Sequence, residues 1–93
     1  MRIVFYKQSK SPVYEYIKRL QISEKAKILA CLKSVEELGF DTPRANFRQI
    51  DGKLWEIKIS NHRIFYVTIQ HNTITLLHIY KKQSQKRPLK KLR

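Results

Sequence analysis

Between Lys53 and Lys82 the chain alternates apolar and polar residues with a period of two, interrupted twice. Trp55, Ile57 and Ile59 interleave with Glu56, Lys58 and Ser60, the pattern of a strand with one buried face. Turn-forming residues at Asn61–His62 and His71–Asn72 divide the stretch into three strands. A two-residue loop at the first sets Ser60 against Arg63 and Lys58 against Phe65. The same loop at the second sets Phe65 against His78 and Arg63 against Tyr80. These registers sort the side chains. One face takes Trp55, Ile57, Ile59, Ile64, Tyr66, Leu77 and Ile79; the other takes Glu56, Lys58, Arg63, His78, Tyr80 and Lys82, with Phe65, Val67 and Leu76 among them. The first reads as a core face and the second as a working surface. A one-residue slip in either turn would invert part of this sorting.

The preceding half supplies what covers the core face. Arg2–Lys7 is rich in β-branched and aromatic residues and predicts a first strand. Ser11 and Pro12 are a helix start, as N-cap and first helical residue. That helix runs to about Leu20, with Val13, Tyr16, Ile17 and Leu20 on one face. Ser23 caps a second helix reaching Leu38, striped by Ile28, Leu32, Val35 and Leu38 and ended by Gly39. Phe47–Ile50 opens the second strand, with Asp51-Gly52 as a bend or bulge before the main run. The class is α+β in a single domain, 1–93: an N-terminal strand, an αα-hairpin, then a three-stranded antiparallel meander with the helices packed on one sheet face. The first strand is expected to pair with one of the meander strands.

Charge narrows the partners. Twenty Lys and Arg against seven Asp and Glu give a net charge of +13 and a pI near 10.2, which points to a polyanion: nucleic acid first, an anionic membrane surface second. The half from Gly52 onward holds ten basic residues and only Glu56 as an acid. Lys53, Lys81, Lys86, Arg87, Lys90 and Lys91 are the expected nucleic-acid contacts, and residues 89–93 read as a solvated basic tail. Cys31, the one cysteine, lies in a helix stripe and reads as a buried thiol. Three scattered histidines and one cysteine do not form a metal site, and no cofactor is expected. The apolar start is too short for a signal peptide and no stretch approaches the ~20 apolar residues of a membrane span. The expected location is cytoplasmic, with no membrane partner.

LWEIKISNHRIFYV followed by LLHIYKKQSQKRP resembles the RelE/HigB superfamily of bacterial toxins, and within it the phage-derived Gp49-like HigB group. The shared pattern is a Trp-Glu-aliphatic-basic strand, an Arg-aliphatic-aromatic-Tyr strand, and a Leu-Leu-His strand running into a basic segment. The resemblance implies a RelE-like fold and the toxin of a type II toxin–antitoxin pair. It further implies ribosome-dependent cleavage of mRNA in the A site, with mRNA, the ribosome and an antitoxin, by analogy a helix-turn-helix protein, as partners.

The chemistry can be weighed beside that resemblance. Metal-free RNA cleavage needs the 2′-hydroxyl deprotonated, the phosphorane's added negative charge stabilised and the 5′-oxygen protonated. Arg63 suits the second task, since a guanidinium stays charged and matches phosphate oxygens; the plain alternative is an exposed strand-end arginine. It aligns with the phosphate-stabilising arginine of the family. Lys58 aligns with a lysine assigned to 2′-hydroxyl activation, a role that needs neighbouring cations to lower its pKa; phosphate binding is the alternative. Lys82 aligns with a basic residue able to neutralise or protonate the leaving oxygen. His78 and Tyr80 are the remaining proton carriers, and Tyr80 can also stack on a base. Relatives often place a later tyrosine on the mRNA base; none follows Tyr80 here. Glu56 reads either as a base or as a salt-bridge partner of Lys58, His62 and His71 as turn residues, and Trp55 and Tyr66 as core aromatics. The second reading of the whole chain is a non-catalytic RNA- or DNA-binding module of the same fold, and the third an inactive relative kept as a repressor subunit.

Overall fold

The computed structural model describes residues 1–82. Strand β1 (Arg2–Phe5) leads into helices α1 (Pro12–Lys18) and α2 (Ile22–Leu38). Four strands follow: β2 (Ala45–Asp51), β3 (Leu54–Ile59), β4 (His62–Gln70) and β5 (Thr73–Lys81). The class is α+β, with a five-stranded mixed sheet ordered β1-β5-β4-β3-β2. Consecutive strands from β2 to β5 pair antiparallel, and β1 lies parallel to β5 on the far edge, Ile3 beside Ile74 and Phe5 beside Leu76. A parallel neighbour needs a crossover connection, and the helices supply it.

The helices start and stop where their ends can be satisfied. Ser11 Oγ accepts from the Tyr14 backbone N–H at 3.1 Å, with Pro12 next in sequence. Gly39 takes φ +65° at the end of α2 and its N–H returns to the Val35 carbonyl. Val13 and Ile17 from α1 and Ile28, Leu32 and Val35 from α2 join Ile57, Ile59, Ile64, Tyr66, Ile74, Leu76 and Ile79 in one buried cluster. Each such side chain contributes on the order of 1.5–3 kcal/mol by leaving water.

The structure corrects the sequence reading at several points. The second strand is two strands: Gly52-Lys53 is a hairpin turn, with Gly52 at φ +57° and Asp51 paired to Leu54 across it, so the meander has four members. Gln21, not Ser23, is the N-cap of α2, and Leu38 is 54% exposed instead of buried. The β3–β4 loop is Ser60-Asn61, with Ser60 at φ 56°, and Ile59 pairs with His62. Relative to the expected register the pairing moves by two, which keeps every side chain on its expected face. Lys58 now stands directly opposite Arg63, and Glu56 opposite Phe65.

The β4–β5 pair holds Phe65 against His78 and Arg63 against Tyr80 as expected, but two irregularities intervene between Phe65 and Gln70. Tyr66 pairs with Leu76, so Leu76 is buried and Leu77 is only half-buried, the reverse of their expected places. The cause lies in the apolar spacing. Ile74, Leu76 and Ile79 cannot share a face at a strict period of two, and an extra residue at Leu77 brings all three into the core. Ile69, on the other strand, is left 71% exposed.

No helix among the described residues is long and apolar enough to cross a membrane. The expected basic tail, 89–93, lies outside the described residues.

Candidate functional site

Two rows of side chains cross the sheet on the face away from the helices. The register gives Asn46, Lys58, Arg63 and Tyr80 as one row from β2 to β5, and Arg48, Glu56, Phe65 and His78 as the next. Strand alternation thus gathers Lys58, Arg63, Tyr80 and His78, four residues from three strands, on one surface.

Arg63 is half-buried, and its Nη1 donates to the backbone oxygens of Ser60 and His62, each at 3.0 Å. These bonds fix the guanidinium against the β3–β4 turn, while Nε and Nη2 make no hydrogen bond among the described residues. A preoriented cation with donors to spare suits an anion arriving from solvent. Lys58, directly across, makes no ion pair among the described residues.

Glu56 is not the salt-bridge partner of Lys58 that the sequence offered as one alternative. Its side chain is buried, 1% exposed, and its partner is Arg48, with Nη2 3.1 Å from Oε1; it makes no salt bridge to Lys58. The other oxygen, Oε2, accepts from the Tyr80 hydroxyl at 3.2 Å. Burial, the Glu56 charge and this hydrogen bond together raise the Tyr80 pKa, against the opposing pull of Arg63 and Arg48. The phenol therefore stays protonated at neutral pH. Phe65 lies alongside, its ring centroid 5.6 Å from that of Tyr80 and 6.4 Å from that of His78, nearly parallel to the latter at 17°. His78 is exposed.

The other named residues fall elsewhere. Lys81 points to the helix side, where its ammonium meets Glu24 at 3.4 Å. Lys82 is exposed at the end of β5, its backbone N–H bonded to the Asn61 oxygen at 2.7 Å. Lys53 is exposed in the β2–β3 turn. Lys86, Arg87, Lys90 and Lys91 lie outside the described residues. Cys31 is half-buried, and burial raises its thiol pKa, which disfavours the reactive thiolate.

Three features escaped the sequence reading. His62 is no turn residue: it is 2% exposed on the core face, and its Nε2 shares a 3.0 Å hydrogen bond with the Tyr16 hydroxyl. Burial lowers its pKa, with smaller contributions from Lys81 and Arg63 in the same direction and from Glu24 against. Arg48 belongs to a strand of its own, β2, because the chain reverses just after the bend or bulge expected at Asp51-Gly52, a dipeptide that is also a hairpin signal. Even that signal does not name its partner, since a shift between Gln49 and Asp51 sets Arg48 opposite Glu56. Trp55, expected in the core, is half-buried and lines, with Phe40, Phe47 and Tyr66, an open cavity of about 630 Å³ beyond the helices.

Comparison with known families gives one result. The model of a family described as phage derived protein Gp49-like matches residues 15–93, which includes every side chain of the two rows. No curated protein matches the chain.

Proposed function

Because the chain belongs to the phage-derived Gp49-like family, the HigB/RelE-like toxin group, we propose that it is the toxin of a type II pair that cleaves mRNA in the ribosomal A site. The observation that carries this reading is the direct pairing of Lys58 with Arg63, with Tyr80 next in the row, on a face the helices leave open.

In this mechanism the mRNA backbone lies across the two rows. The Arg63 guanidinium, held by the Ser60 and His62 carbonyls, binds the scissile phosphate and stabilises the charge that grows as the 2′-oxygen attacks. Lys58 approaches the same phosphate from β3 and, beside Arg63, stabilises the 2′-oxygen's growing negative charge as its proton passes to a solvent water. The bond between phosphorus and the 5′-oxygen then breaks, leaving a 2′,3′-cyclic phosphate and a 5′-hydroxyl. His78, exposed in the second row, or Lys82, just beyond β5, would protonate that leaving oxygen in this scheme. The basic surface docks on ribosomal RNA, and the partner that silences the toxin is a helix-turn-helix antitoxin, by family analogy.

Inducible expression followed by mapping of mRNA 5′ ends tests the reading. Codon-phased cuts are expected with the wild-type chain. Arg63→Ala should lose them, with cleavage down about 10²–10³-fold, the scale for removing one transition-state donor. Growth arrest with intact transcripts would favour the non-catalytic binder, and absence of toxicity the inactive repressor subunit.

A further inference from the structure

Glu56 is the only buried carboxylate among the described residues, and it lies in the middle of a face otherwise given to cations and aromatic rings. Its two oxygens are divided between two strands: Oε1 takes the Arg48 Nη2 from β2, and Oε2 takes the Tyr80 hydroxyl from β5. To reach it Tyr80 extends across β4 beside Phe65. A carboxylate paired with a guanidinium is ionised and can only accept hydrogen bonds. The Tyr80 hydroxyl must therefore donate, so its proton points into the sheet and its lone pairs point out.

Resting on the nuclease reading above, we propose that Arg48 is a positioning residue which, through Glu56, fixes the Tyr80 hydroxyl as an outward acceptor for the ribose 2′-hydroxyl of RNA. Tyr80 Oη, in the same cross-strand row as Arg63 and Lys58, then orients the attacking group while the cations hold the phosphate. An outward acceptor repels phosphate oxygens and finds no partner on deoxyribose, so the arrangement selects RNA over DNA. Arg48 and Glu56 do not touch the substrate in this scheme. The raised Tyr80 pKa agrees with it, because a phenol bonded to a carboxylate resists ionisation.

Glu56→Gln is the discriminating substitution because it keeps shape while reversing one bond. Arg48, which only donates, retains the amide oxygen, leaving the amide N–H₂ to donate to Tyr80 and turning the phenol proton outward. In single-turnover cleavage on mRNA-programmed ribosomes at saturation, Glu56→Gln should slow the reaction about 100-fold, the effect of a misdirected reacting group. The ribosome concentration for half-saturation should not change. Arg48→Met should slow the saturated rate about tenfold and Arg48→Lys should recover part of it. If Arg48 served only to attract RNA, the loss would appear in half-saturation alone, which would overturn the proposal.

A second measurement needs no ribosome. With ¹³C-labelled tyrosine, and the Tyr80 resonance assigned from Tyr80→Phe, the phenol should titrate at lower pH in Glu56→Gln than in the wild-type protein. An unchanged titration would overturn the proposal whatever the cleavage data. A lowered titration with no cleavage by the wild-type chain would sink the nuclease reading and keep the hydroxyl orientation.

Discussion

His62 shows how one side chain can be misplaced by its neighbours. Asn61 before it and Arg63 after it suggest a turn, yet the loop closes one residue earlier and the imidazole turns inward to Tyr16. Burial lowers its pKa from the ordinary 6.5, so the folded state prefers the neutral ring. Below pH 6.5 the unfolded chain binds a proton that the fold resists. Stability should therefore fall as pH drops from 7 through 6, down to the folded pKa. Urea midpoints across that range should show the slope, and His62→Gln should flatten it. The same inward turn gives Arg63 one of its two anchoring carbonyls, so His62→Ala should cost cleavage rate as well as stability. At this scale the sequence identified the solvent-facing cations readily, since alternation alone places Lys58 and Arg63 on one face. The partners of Glu56 were not legible, because a buried ion pair depends on the register between strands and not on any local pattern.

Among the elements, the start of α1 and the Gly39 end of α2 were legible, whereas the N-cap of α2 falls at Gln21 and not at Ser23. Ser11-Pro12 begins α1 where expected, and the Ser11 hydroxyl is both buried and engaged. Ser11→Ala should destabilise the fold by about 1 kcal/mol, read as a lower urea midpoint with an unchanged slope. The sheet was less legible. Its outer strand β2 carries mostly exposed residues and lacks the alternation that marks β3. The irregularities in β4 and β5 answer to the packing of Ile74, Leu76 and Ile79 against the helices, a demand that comes from other elements. For β3 and β4 the two-residue loop predicted the faces correctly even though the loop itself was misplaced, because a shift of two preserves sidedness.

For the molecule as a whole, the net charge of +13 should govern the proposed association with RNA. Binding to ribosomes should weaken steeply between 50 and 200 mM salt, and Lys58→Ala should reduce the slope of log K against log salt by about 1 if that lysine meets a phosphate. A slope near zero in filter-binding titrations would remove electrostatic docking from the mechanism. The order strand, two helices, strands was readable from end to end; the position of the first strand was not, since either edge satisfies the same sequence.

That position should separate two time scales in the molecule. The two rows proposed to carry the chemistry run from β2 to β5 and join neighbours in the chain, whereas β1 pairs with β5 across some seventy intervening residues, a contact expected to form late. Four residues long and at the rim, β1 is the seam that should zip last and peel first, its amides exchanging with solvent well before those of Ile64. Weakening that seam should shorten the working lifetime of each molecule while leaving the turnover of the intact ones untouched.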